Sequence, residues 1–167
     1  MSKKYYLAYG SNLSMRQMAE RCPDAVYVGT AVIPDYQLLF KGSLTGSYLT
    51  IEKKKGSKVP VLVWQISERD ERYLDRYEGC PIFYYKKEMR LSMQSLIDGT
   101  ELGEVDAIVY IMHENRGLGC PSDYYYEVCK EGYRRFGFDT KVLEKALADS
   151  VGKRKASAFL REVPMYE

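Results

Sequence analysis

The chain has 167 residues, 46% hydrophobic and 29% charged, and its 25 basic and 23 acidic side chains leave a net charge of +2. That length suits one domain, residues 1–167, with an ordinary buried core. The charge balance is too even to argue for a nucleic-acid or membrane footprint, and no apolar run approaches the roughly 18 residues of a membrane span.

The chain opens with an apolar strand at residues 4–9, which stops in the turn "YGSN" (Tyr9–Asn12). A short helix at 14–21 follows, stopped near Cys22-Pro23. Strands are predicted at 25–33, 36–40, 47–54 and 59–66, separated by Pro34-Asp35, by Gly42-Ser43 with Gly46, and by a lysine run, Lys53–Lys55, read as a solvated hairpin end. Ser67 with Asp70 three residues later forms a capping-box-like start for a helix over 67–77. Tyr73, Leu74 and Tyr77 give that helix an apolar stripe, and Gly79 with Pro81 stops it. Two long strands, 82–93 and 104–113, are joined by a loop with Asp98-Gly99. The last third reads as helices at about 122–135 and 140–150, and the tail 152–167 has no clear periodicity. These elements predict an α+β fold: a small mixed, mainly antiparallel β-barrel of about six or seven strands with flanking helices.

What is missing narrows the chemistry. His113 is the one histidine, so a multi-histidine metal site is excluded, and no clustered acidic motif suggests Mg²⁺. There is no dinucleotide fingerprint, no P-loop and no nucleophile elbow. Cys22, Cys80, Cys120 and Cys129 are widely spaced, so neither a disulfide framework nor a metal knuckle is expected. The first residues lead straight into a strand without a leader-like apolar region, so the expected location is the cytoplasm. Sixteen tyrosines against five Phe and one Trp suggest a pocket walled by phenols.

Two places converge on a chemistry. In the Tyr9–Ser14 turn, Gly10 permits positive φ, Ser11 and Asn12 suit turns and caps, and successive backbone N–H groups would cradle an anion. From spacing alone, a plain strand-to-helix connection fits equally well. Glu78 closes the 67–77 helix at the negative end of its dipole, beside aromatic residues, which should raise its pKa and make it a better base near neutrality. A solvated helix-end glutamate is the plainer reading of the same position.

Together "YLAYGSNLS", the Leu74-Asp75-x-x-Glu78-Gly79 motif and Pro121-Ser122-x-x-Tyr125 resemble the γ-glutamylcyclotransferase family from about Lys4 to Leu147. The resemblance implies a small β-barrel and a reaction in which the α-amine of a small γ-glutamyl compound attacks its own γ-amide, releasing 5-oxoproline. Because the nucleophile belongs to the substrate, no cofactor or metal is implied. It further implies Glu78 as the acid/base, the Gly10, Ser11, Asn12 and Leu13 amides as the cradle beside Tyr9, and Tyr125 as a phenol on the pocket wall. A tyrosine soon after the glutamate is also implied. Tyr84 and Tyr85 both qualify, and since adjacent strand residues face opposite ways, Tyr84 is preferred. The competing reading is a small-ligand binding module that uses the same pocket without turnover. The motifs do not choose among γ-glutamyl compounds, and a homodimer is left open.

Overall fold

The computed structural model describes residues 3–43 and 45–162. In chain order the elements are β1 (Lys4–Ala8), a single 3₁₀ turn (Ser11–Leu13), α1 (Met15–Arg21), β2 (Val26–Ser43), β3 (Gly46–Ile66), α2 (Glu68–Tyr77), β4 (Tyr84–Gln94), β5 (Glu101–Met112), β6 (Gly117–Leu118), α3 (Asp123–Arg135), α4 (Lys141–Val151) and α5 (Lys153–Glu162). The strands are ordered β3-β1-β5-β4-β2-β6, and β2 also pairs with β3, which closes five of them into a barrel. All the pairings are antiparallel except β1 with β5, where Tyr5 faces Ala107 and Tyr6 faces Ile108. The α+β barrel with flanking helices is as the sequence predicts.

Strand β1 lies between β3 and β5, so both of its edges are paired, and consecutive residues Tyr6, Leu7 and Ala8 are buried on both faces. This explains its unbroken apolar run. The barrel closes between β2 and β4 through one residue pair, Thr30 with Gln94. A Cβ on Gly29 would stand 2.6 Å from the Gln94 carbonyl oxygen, so the seam requires glycine.

Two details differ from the sequence reading. The four strands expected between 25 and 66 are two long ones, β2 and β3, and the Pro34-Asp35 turn is an irregularity inside β2, between Pro34 and Tyr36. Asp35 takes a positive φ of 59° there and accepts a hydrogen bond from the Gly56 N–H at 2.9 Å. Between the pairs Pro34–Lys58 and Tyr36–Lys53, β2 has Asp35 alone while β3 has residues 54–57, so the extra residues lie on β3 and bend the ribbon without ending it. The lysines at 53–55 are exposed, but they lie within β3 opposite this bend. In the tail, 153–162 forms α5, and Ala156 is buried. Residues 163–167 lie outside the described residues.

Helix α2 carries the capping box read from the sequence: the Ser67 Oγ accepts from the Asp70 N–H at 3.1 Å, and the Asp70 carboxylate accepts from the Ser67 N–H at 3.2 Å. Helix α3 packs directly on the 3₁₀ turn. Its Gly132 leaves no room for a side chain, since a Cβ would lie 2.5 Å from the Leu13 Cβ.

Candidate active site

The turn after β1 is built from its backbone outward. The Leu13 N–H donates to the Gly10 carbonyl at 3.1 Å, the Ser14 N–H donates to Ser11 at 3.0 Å, and the Ser14 hydroxyl caps α1 by accepting from the Gln17 N–H. The N–H groups of Gly10, Ser11 and Asn12 have no acceptor among the described residues, and these three residues line one cavity. Gly10 is not left-handed (φ −131°). A Cβ there would stand 3.2 Å from the Tyr125 hydroxyl, a tight contact, and 3.6 Å from Leu49, so the position has little room to spare for a larger side chain.

Four buried hydrogen bonds hold the turn in place. The Trp64 indole donates to the Asn12 carbonyl at 3.0 Å, and the Asn12 amide donates to the Tyr6 hydroxyl at 3.0 Å. Tyr133 of α3 donates to the Tyr9 carbonyl at 2.9 Å, and Tyr9 itself donates to the Tyr110 carbonyl at 2.6 Å. A turn fixed through partners this distant in sequence has little freedom to close over its own N–H groups.

Glu78 ends α2, with its N–H donating to the Leu74 carbonyl at 2.8 Å, and Gly79 turns the chain away with φ 62°. Asp75, one helical turn earlier, accepts from the Tyr110 hydroxyl at 2.6 Å and pairs with Lys86 at 2.8 Å, fastening this end of α2 to β4 and β5. Glu78 lines the same cavity as the turn, and none of the hydrogen bonds among the described residues ends on its carboxylate. Burial pushes its pKa up to about 7, and the Arg21 guanidinium pulls in the opposite direction. The elevation expected from sequence is present, and desolvation is its main cause.

The cavity has a volume of about 420 Å³. Tyr6, Tyr9, Tyr84, Tyr110 and Tyr125 line it, and burial pushes each of their hydroxyls above the ordinary phenol value, so they remain neutral donors and acceptors. Tyr84 donates to the Leu49 carbonyl at 2.9 Å, while the Leu49 N–H donates to Tyr125 at 3.0 Å, so two phenols hold both backbone polar groups of one β3 residue. Tyr85 faces the other way and donates to Glu114.

Of the residues singled out from sequence, Tyr9, Gly10, Ser11, Asn12, Glu78, Tyr84 and Tyr125 all border this cavity. Leu13 does not: its side chain is buried against α3, and its N–H is taken by Gly10. His113 lies outside, with its ring nitrogen 2.7 Å from the Pro81 carbonyl oxygen. No cysteine lines the cavity. Burial raises the Cys22 and Cys129 thiols to about 12, away from nucleophile chemistry. No group of three or more His, Cys, Asp or Glu side chains suited to a metal occurs among the described residues.

Sequence reasoning missed Arg21, Tyr6, Tyr48, Tyr77 and Tyr110. Tyr77 had been assigned to the apolar stripe of α2, yet Leu74 alone of that stripe is buried, and Tyr77 is 51% exposed where it borders the cavity. No local signal marks Arg21, whose contacts depend on how α1 folds back on the turn.

Residues 6–136 match the family model described as "Gamma-glutamyl cyclotransferase, AIG2-like". The chain belongs to that family. It is 29% identical over 150 residues to the gamma-glutamylcyclotransferase of Homo sapiens and 28% identical over 150 residues to that of Mus musculus, covering 86% of this chain and 77% of each relative. A solved structure titled "Gamma-glutamyl cyclotransferase" superposes with a TM-score of 0.74 at 26% identity, covering 96% of this chain and 99% of the other. Family and relatives together support an enzyme of the cyclotransferase kind. No helix among the described residues is long and apolar enough to cross a membrane.

Proposed function

We propose that the protein releases 5-oxoproline from a small γ-glutamyl compound, with Glu78 as general acid/base. One observation carries this reading: a single carboxyl with a pKa of about 7 shares a cavity with the unpaired N–H groups of Gly10, Ser11 and Asn12. Those N–H groups are donors suited to anionic oxygens of the substrate and to the oxyanion that forms at the γ-carbon. The Leu13 N–H, already donated to Gly10, is not part of this cradle.

The chemistry follows from moving two protons, one after the other, from the attacking nitrogen to the departing one. The α-ammonium group of the bound substrate gives a proton to the Glu78 carboxylate, and the freed amine attacks the γ-carbon. A C–N bond closes the five-membered ring, and the bond to the departing nitrogen breaks as Glu78 delivers that proton to it. The ring nitrogen gives its second proton to the regenerated carboxylate, which passes it to the released amine, so the products are a neutral lactam and an ammonium and Glu78 ends as it began. A carboxyl whose pKa lies close to that of the medium does both steps with little penalty. Holding the reacting amine beside the γ-carbon is the larger contribution, worth as much as roughly 7–11 kcal/mol in favourable intramolecular cases. The neutral phenols of Tyr84 and Tyr125 wall the bent substrate without adding a competing base.

The test is direct: incubate the protein with a panel of γ-glutamyl amino acids and γ-glutamylamines and assay 5-oxoproline. Release from at least one of them is expected, insensitive to thiol alkylation. Tight binding of the panel without product would favour the binding-module reading.

A further inference from the structure

We propose that Arg21 is a positioning residue that ties the cradle turn to the end of α2 and keeps the two halves of the site in register. The proposal rests on the acid/base reading of Glu78. The guanidinium donates to the Asn12 side-chain oxygen at 2.5 Å and to the Tyr77 hydroxyl, and it stacks 3.5 Å from the centre of the Tyr77 ring. Asn12 supplies one of the three unpaired N–H groups, and Tyr77 immediately precedes Glu78. Arg21 therefore spans the donor side and the base side from behind, without lining the cavity itself.

Two features set Arg21 apart from an ordinary surface arginine. It forms no ion pair with a carboxylate among the described residues, although it is half-buried. It also holds the Asn12 amide from one end while Tyr6 holds the other, since the Asn12 nitrogen donates to the Tyr6 hydroxyl. A planar fork with fixed donors can bridge two acceptors in this way, and an ammonium cannot do so with the same geometry.

The charge has a second consequence. The groups facing Glu78 are Tyr6 and Tyr9 from the end of β1, Tyr84 from β4, Tyr77 from α2 and Cys80 just beyond it. The raised pKa of each keeps it neutral. Asp75 and Lys86 pair with each other beside Cys80. Arg21 is thus the cation that favours the Glu78 carboxylate against its burial. Without it, Glu78 would hold its proton to higher pH and be spent as a base at neutrality.

The test uses Arg21→Gln and Arg21→Lys in the full chain, with Glu78→Gln as control. The Glu78 carboxyl is titrated by carbon NMR, 5-oxoproline affinity is measured by calorimetry, and the pH profile of kcat/KM is recorded on a substrate that turns over. Arg21→Gln should move the Glu78 titration and the acidic limb of the profile upward by about one pH unit. Arg21→Lys should leave both near their wild-type positions. Each variant should weaken 5-oxoproline binding by about tenfold through loss of the fork. An unmoved titration in Arg21→Gln, or wild-type affinity in Arg21→Lys, overturns the proposal. A Glu78→Gln enzyme that still turns over overturns the acid/base reading instead, a separate result. Should Arg21→Gln fail to fold, Arg21→Lys and Tyr77→Phe carry the test, and unchanged 5-oxoproline affinity in both rejects the bridge.

Discussion

Glu78 is both the proposed base and a burden on the fold. Folding raises its carboxyl from 4.5 to about 7, so the native state binds that proton more tightly than the unfolded chain does. The favourable contribution is complete below pH 4.5, declines as the pH rises and is gone above about 7. There the buried carboxylate costs about 2–3 kcal/mol relative to a neutral side chain. Glu78→Gln should therefore resist urea better than wild type at pH 8 and match it at pH 4, while turnover falls by at least about 10²-fold. Equal urea midpoints at pH 8 would contradict the burial of this group. Gly10 poses the opposite case, a residue defined by what it lacks. Gly10→Val would push a branched side chain at the Tyr125 hydroxyl and Leu49, and 5-oxoproline binding by calorimetry should be lost. The turn and Glu78 could both be picked out from sequence because their residue types are special for local reasons, a side-chain-free position and an acid at a helix end. Arg21 and Tyr110 could not, since an arginine in a helix and a tyrosine in a strand are locally unremarkable.

Helix α2 exists to deliver Glu78, and its start is secured by the Ser67–Asp70 box. Removing that cap in Ser67→Ala should lower stability by about 1 kcal/mol, read as a shift of the urea midpoint at unchanged slope. The periodicity of α2 was legible, but its exposed face was not, because Tyr73 and Tyr77 look apolar in a pattern and yet sit at 38% and 51% exposure. Strand β4 shows the more favourable case. Alternation alone said that Tyr84 and Tyr85 must part, and they do: Tyr84 borders the cavity shared with Glu78 while Tyr85 reaches Glu114. Strands β2 and β3 show why boundaries were harder to read. Pro34-Asp35 has the chemistry of a turn, but the flanking segments continue to pair with the same partner strand, so the residue pair bends a ribbon instead of reversing it.

The barrel brings together segments far apart in the chain: β1 with its turn, the end of α2, β4, and α3 against the back of the turn. Its closure at the β2–β4 seam is narrow. Gly29→Val should open that seam by setting a side chain against the Gln94 carbonyl, lowering global stability by about 1–3 kcal/mol or more in urea unfolding. A stable Gly29→Val protein would mean the seam has room that the backbone spacing denies.

By itself the sequence determined the class of fold, the order of most elements, the turn and the carboxylate, because each depends on periodicity or on the preferences of a few neighbouring residues. Tertiary structure alone decided that Glu78 sits in the cavity lined by Gly10, that burial raises its pKa, that Leu13 faces the core, and that Arg21 bridges Asn12 to Tyr77. Those outcomes depend on which surfaces meet when the barrel closes, and desolvation, unlike helix or strand preference, is a property of the assembled walls and not of any one segment.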